Sequence, residues 1–292
     1  MNTPTVAAIV KQGDAAYPAA LNEIADPPEQ LYVWGDIAAL SAVPMIAIVG
    51  TRKPTDYGIR AAGRLSTDLS AAATIVSGLA YGVDTVAIAS AIAAGGRVVA
   101  VIGSGLDRDS FYPLVNYQLA EQIVQGGGAV VSEYPPGTPP LKYNFPARNR
   151  IIAGLTLGTV VVEGLPGSGA LITAEHAAEF GREVFGVPGS IFVPEAWAPN
   201  QLIKDGATPV VSASDILESL GLGDQPRLPN SETKTDSVED KIYQLLNQQS
   251  LPIDEIAKEL ALDSQLVSST LTLMEIKGTI KSTPAGKFTR LR

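Results

Sequence analysis

The residues whose types and spacing point to chemistry lie between Lys142 and Gly154, in the run Lys-Tyr-Asn-Phe-Pro-Ala-Arg-Asn-Arg-Ile-Ile-Ala-Gly. Lys142, Arg148 and Arg150 surround one aromatic pair, Tyr143 and Phe145. No Asp or Glu occurs from Tyr134 through Val162, so the local charge is +3 in a chain whose net charge is -9. Cations for phosphates and a flat ring for an unpaired base are what a single-stranded nucleic acid needs. The plainer reading of the same residues is a surface loop leading into a helix with solvated arginines. The acidic total argues against a general polyanion binder. It leaves a local site open, because phosphate affinity follows the cations within about 8–10 Å.

Composition removes several other chemistries. Cysteine is absent from the 292 residues, which excludes disulfides, thiolate metal sites and Cys nucleophiles and fits a reducing cytoplasm. A histidine-based zinc site or a Ser-His-Asp triad would have to pass through His176, the one histidine. No metal and no cofactor are therefore expected. The start, Met1-Asn2-Thr3-Pro4, has no basic region leading into an apolar core, so no secretory signal is expected. No apolar run approaches the roughly 20 residues of a membrane span. With 46% hydrophobic and 17% charged residues the chain reads as globular.

The elements that must position the cationic run follow a repeated pattern. Met45–Val49, Thr74–Val76, Val98–Ile102, Ala129–Val131, Thr159–Val162, Val184–Val187 and Pro209–Val211 are short apolar runs, as expected for strands buried on both faces. Helical stretches alternate with them, which predicts an α/β fold with a doubly wound, mostly parallel sheet. Ligands of such sheets sit beyond the carboxyl ends of the strands, where strand order reverses. The segments there are Gly50-Thr51-Arg52, Ser77-Gly78-Leu79, Gly103-Ser104-Gly105, Ser132-Glu133 and Glu163 through Gly169. Their Gly and Ser residues let backbone amides approach an anion, and also suit tight connections.

Two phosphate motifs nearly form and fail. Gly164-Leu-Pro-Gly-Ser-Gly169 has P-loop spacing, but Ala170-Leu171 stand where Lys and Ser or Thr belong, which excludes a nucleoside triphosphatase of that type. Gly50-Thr51-Arg52-Lys53-Pro54 lacks the later glycines of a dinucleotide fingerprint.

Four segments are expected. Residues 1–44 form a leading segment that packs on the core, with Leu31–Gly35 as a short strand. Residues 45–220 form the Rossmann-like domain. The polar, turn-rich run 221–238 is a linker. Residues 239–292 read as three helices and a hairpin, a winged helix. The third helix, Ser264–Lys277, carries only Glu275 and Lys277 as charges, and a duplex-reading helix is expected to be more basic. A protein-contact or accessory role suits this unit better.

Taken in order, the motifs resemble the DNA-processing protein A family, also called DprA or Smf. The likeness runs from about Tyr17 to Leu220 and includes Ala47-Ile48-Val49-Gly50-Thr51-Arg52, Ser77-Gly78-Leu79-Ala80-Tyr81-Gly82-Val83-Asp84 and Gly103-Ser104-Gly105-Leu106-Asp107. It continues through Asn144-Phe145-Pro146-Ala147-Arg148-Asn149-Arg150-Ile151-Ile152-Ala153-Gly154, Ser168-Gly169-Ala170-Leu171-Ile172-Thr173-Ala174 and Gly181-Arg182-Glu183-Val184-Phe185-Gly186-Val187-Pro188-Gly189. The resemblance implies an extended Rossmann fold that binds single-stranded DNA and loads the RecA recombinase onto incoming strands in transformation. It also implies a homodimer and no catalysis. Its pocket implies Arg52, Lys142 and Phe145, with Arg148, Asn149 and Arg150 in the same motif. Gly50, Thr51, Ser77, Gly78, Gly103, Asn144, Ser168 and Gly169 complete the candidate DNA-binding set. The physical assignment agrees: Arg52 and Lys142 for phosphates, Phe145 for stacking, and strand-end amides for backbone oxygens. Two departures stand out. Many members begin with a helical SAM-like domain, of which only the final portion fits before Val43, and Ala170 stands where a Ser is common.

An enzyme is the alternative. Lysine-decarboxylase-like phosphoribohydrolases share a Rossmann core and a Gly-rich turn followed by Glu, which Pro166-Gly167-Ser168-Gly169 with Glu175 distantly matches. Glu163 or Glu175 would then polarise a glycosidic bond.

Overall fold

The computed structural model describes residues 6, 8–41, 44–223, 238–246, 250–260, 262–276, 279–283 and 287–290. Two compact units divide the chain, Met1–Leu228 and Pro229–Arg292. Most of the expected linker, and Lys277 of the expected third helix, lie outside the described residues.

The first unit holds nine strands: β1 (Ala8–Lys11), β2 (Gln30–Gly35), β3 (Met45–Val49), β4 (Thr74–Ser77), β5 (Val98–Ile102), β6 (Ala129–Ser132), β7 (Gly158–Val161), β8 (Glu183–Gly186) and β9 (Thr208–Pro209). The helices are α1 (Asp56–Leu69), α2 (Val83–Ala93), α3 (Tyr117–Gln125), α4 (Asn144–Leu155), α5 (Gly169–Glu179), α6 (Trp197–Lys204) and α7 (Ala213–Ser219). One sheet runs in the order β1-β2-β6-β5-β4-β3-β7-β8-β9. All pairs are parallel except β1 with β2 and β2 with β6. The fold is thus the expected Rossmann-like, doubly wound α/β sheet.

The strand sequences explain why both faces are covered. Along β3, Ile46 and Ile48 join one core while Met45, Ala47 and Val49 join the other. In β5, Val98, Ala100 and Ile102 face the first core, and Val99 and Val101 the second. Successive side chains of a strand point to opposite faces, so a continuous apolar run needs two coverings. Residues of α1, α2, α3 and α7 cover one face, and residues of α4 and α5 the other.

The leading segment does more than pack on the domain. It supplies β1 and β2, which extend the sheet at the β6 edge, and two 3-10 turns, Ala19–Glu23 and Ile37–Leu40. No α-helix precedes α1 among the described residues. Tyr17 is buried and donates its hydroxyl to the Pro28 carbonyl at 2.7 Å; burial pushes its pKa up to about 12. The segment therefore belongs to the same hydrophobic unit as the strands it joins.

The second unit is the expected winged helix. Helices α8 (Val238–Leu245), α9 (Ile253–Leu260) and α10 (Ser264–Ile276) pack with a sheet of β10 (Leu251–Pro252), β12 (Lys287–Arg290) and β11 (Ile280–Ser282), in that order. Ile242, Ile256, Val267, Leu271, Met274 and Ile280 form its core. Glu275 on α10 accepts from Ser282 N and Oγ at 2.8 and 2.7 Å, and these bonds hold its carboxyl below the usual range. That carboxylate ties α10 to the wing. No helix among the described residues is long and apolar enough to cross a membrane.

Candidate nucleic-acid interface

Strand order reverses between β3 and β7. The chain leaves β3 towards β4 on one side, and after β6 returns to pair β7 on the other. The loops after these two strands are bonded together, Thr51 N to Glu163 O at 2.7 Å. Glu163 is 2% exposed, and its carboxylate accepts from Thr55 N at 2.9 Å and Thr55 Oγ1 at 2.6 Å. Thr55 caps α1, so this glutamate fixes the start of that helix. Glu175 is exposed on α5. Neither carboxylate lines the strand-end pocket or the larger cavity described below.

The loop after β4 is held on every side. Asp84 accepts from Gly78 N at 3.1 Å and Ala80 N at 3.2 Å. Asn116 Nδ2 donates to Leu79 O at 2.9 Å. Leu79 between them has φ +55, a left-handed conformation that costs a non-glycine residue roughly 1–2 kcal/mol. Its fully buried side chain and the bonds around it offset that cost. These bonds tie the loop's backbone into the fold.

Arg148 enters this loop from α4. It is 5% exposed, and Nη1 donates to Gly78 O at 2.7 Å and to Val101 O. A Cβ on Gly78 would lie 2.6 Å from Arg148 Nη2 and 2.7 Å from Asp84 Oδ2, so a larger residue would have to displace the two side chains that converge there. Burial lowers the Arg148 pKa to about 10 against the attraction of Asp84, and burial raises that of Asp84. Arg148 thus stitches the ends of β4 and β5 together.

Above this floor lies a shallow pocket lined by Arg52, Gly78, Ala80, Tyr81, Tyr112, Pro113, Phe145 and Arg148. The Arg52 guanidinium sits 5.9 Å over the Phe145 ring. Phe145 meets Tyr112 at 5.5 Å between centroids, and Tyr112 meets Tyr81 at 6.4 Å. Gly103 lies under Phe145, where a Cβ would approach Cδ1 to 3.1 Å. A larger cavity, about 260 Å³, lies among Ile191, Val193, Pro194, Trp197, Asn200, Gln201 and Lys204. It holds one cation and none of the residues singled out from the sequence, so the smaller strand-end pocket is the candidate site.

The remaining candidate residues fall around this centre in different employments. Lys142 is exposed in the loop before α4, three residues ahead of Phe145 and outside the pocket lining. Asn144 is buried, its Nδ2 without a partner among the described residues. Asn149 Nδ2 donates to Gly169 O at 3.0 Å, joining α4 to α5, and Ser168 Oγ is buried and unpartnered among the described residues. Ser77 Oγ donates to Ile48 O at 2.7 Å, and Thr51 Oγ1 accepts from Lys53 N at 3.2 Å. Gly50 packs against Val83 and Glu163 O. Arg150 is turned to carboxylates, with Nη2 on Glu133 at 2.6 Å and Nε on Asp26 at 3.0 Å. The +3 counted along the chain is therefore smaller in space. His176 contacts Glu179 at 3.3 Å and stacks on Phe180. No cluster able to hold a metal occurs among the described residues.

Tyr81, Tyr112, Pro113 and Asp84 were not singled out as site residues from the sequence. The signal for the first two was an aromatic between a strand end and the next helix. Asp84 reads locally as an acid in a helix's first turn.

Fold and pocket define an extended Rossmann-like protein with a cation-and-ring pocket at its strand ends and an attached winged helix. The chain belongs to the DNA recombination-mediator protein A family, whose profile matches residues 8–221; the DprA winged helix domain matches residues 226–286. Protein Smf of Synechocystis is 39% identical over 95% of this chain and 78% of its own length. The X-ray structure of DNA processing protein A from Streptococcus pneumoniae is 43% identical over 72% of this chain and 73% of that one, with a TM-score of 0.68. The Helicobacter pylori protein, 29% identical over 73% of this chain and 94% of that one with a TM-score of 0.64, is described for its unique single-stranded DNA binding mode.

Proposed function

We propose that this chain binds single-stranded DNA across its strand-end pocket and acts there as a recombination mediator without catalysis. Arg52 and Lys142 take phosphates, and Phe145 takes an unpaired base. The observation that carries the reading is the Arg52 guanidinium seated over the Phe145 ring. An exposed cation–π contact is worth about 0.5–1 kcal/mol, whereas stacking a base on an aromatic ring is worth about 1–3 kcal/mol. A phosphate that draws Arg52 aside and a base that takes its place are therefore favoured together. In the free protein Arg52 holds the ring's face against collapse.

The described relative from Helicobacter pylori supports the ligand class. The engagement of Glu163 with Thr55 supports a binding rather than a hydrolytic role. Within this reading the protein is a cytoplasmic homodimer that loads a RecA-type recombinase on incoming strands during transformation. Those finer points have separate tests: molar mass by light scattering, and the rate of recombinase filament growth on a single strand with and without the protein.

Titration of the full chain with single- and double-stranded oligonucleotides at two salt concentrations tests the core of the proposal. The single strand is expected to bind tighter and to be released by salt. Equal affinity for duplex, or binding indifferent to salt, would sink it. Free base released from nucleoside monophosphates at enzymatic rates would overturn the non-catalytic part.

A further inference from the structure

Phe145 is not alone in the pocket. Tyr112 and Tyr81 continue from it as a path of rings, and their hydroxyls make no hydrogen bond among the described residues. Tyr81 is 42% exposed, although it lies in a loop fixed by Asp84 and Asn116. A ring kept for packing alone would be expected to bury its face. Here its aromatic contact is edge-on, at 6.4 Å and 86°, to Tyr112.

The planes of these rings turn from one to the next, by 59° between Phe145 and Tyr112 and by 86° between Tyr112 and Tyr81. The centroid spacings of 5.5 and 6.4 Å exceed the roughly 3.4 Å rise per nucleotide of a stacked strand. Bases lying on successive rings cannot stay parallel to one another. Each step along the path requires a base to leave its neighbour. The cost of leaving is set by how strongly the strand stacks on itself, which is the origin of modest pyrimidine preferences in such sites.

We propose that Tyr112 and Tyr81 are further base-contacting residues, and that the turning of the ring planes makes the site select weakly stacked pyrimidine strands over purine strands. This rests on the single-strand reading above and adds the class of sequence that the site favours. Lys142 and Arg52 meet phosphates and are indifferent to the base; the rings carry the preference.

The experiment compares binding of oligo-dT and oligo-dA of one length, by fluorescence anisotropy, to the full chain and to Tyr81→Ala, Tyr112→Ala, Tyr81→Phe, Lys142→Ala, Phe145→Ala and Arg52→Ala. Expected are tighter binding of oligo-dT by the parent and a loss of about fivefold or more for oligo-dT in each alanine variant at a tyrosine. The dT-to-dA ratio should shrink in those variants. Tyr81→Phe should keep both affinity and ratio, and Lys142→Ala should weaken both strands alike. Tyr112 borders Pro113 in the pocket wall, so the melting temperature of its variant is measured alongside; Tyr81, exposed, decides the matter if Tyr112→Ala unfolds. An unchanged ratio in Tyr81→Ala, or a parent that prefers oligo-dA, overturns the proposal. If Phe145→Ala still weakens binding in that case, only the ring path falls; if Phe145→Ala and Arg52→Ala are also silent, the pocket itself falls.

Discussion

The loop after β3 and the body of α4 both carry arginines, and the fold treats them in opposite ways. Arg52, on the loop, is exposed, has no ion pair among the described residues and sits over the face of a ring it can leave. On α4, Arg148 is buried among strand-end carbonyls, and Arg150 is held by Glu133 and Asp26. All three are equal in a count of charge. For a ligand, what matters is whether a guanidinium has already been given partners. The comparison teaches that a basic motif divides into residues that shape a site and residues that serve it, and that burial and ion pairing draw the line.

The largest effect expected from breaking this division is on stability. Asp84→Asn or Arg148→Ala leaves a buried charge or loop without its partner and should cost about 3–5 kcal/mol in denaturant unfolding. If Arg148 were a second solvent-facing cation, the change would stay near zero. Phe145→Ala comes next and should lose about 1–3 kcal/mol of single-strand binding in a titration, with no such collapse of the fold.

Arg150→Ala sharpens the contrast from the other side. Its ion pairs are partly exposed, so a loss of about 1 kcal/mol in stability is expected, while the salt dependence of binding stays as in the parent. A reduced salt slope would show that Arg150 leaves its carboxylates for a phosphate. The smallest effect belongs to Lys142→Ala. It should leave stability unchanged and lower the slope of log affinity against log salt by about 0.7, the value for one single-strand phosphate contact.

Much of the fold was legible because β3 and β5 are unbroken apolar runs, and such runs fit only strands covered on both faces. The strand-to-helix alternation then left few topologies. β1 escaped notice because four residues, Ala8–Lys11, carry little pattern, and their place is set by pairing with β2. The proposed site was readable only as a set of residue types at strand ends. Which of them meet was not. Arg52 reaches Phe145 only because the sheet places β3 near the start of α4. The partners of Arg150 are Asp26, far off in the chain, and Glu133, just outside the acid-free stretch, so that stretch looked more cationic than it is. Tyr112 and Tyr81 were missed because single aromatics in loops carry no periodicity.

The most direct test of the central claim takes Arg52→Ala and measures, on one preparation, its melting temperature and its affinity for a single-stranded oligonucleotide at low salt. Arg52 is exposed and has no carboxylate partner among the described residues, so melting should match the parent while affinity falls about tenfold. A variant that melts normally and binds as tightly as the parent would contradict the account.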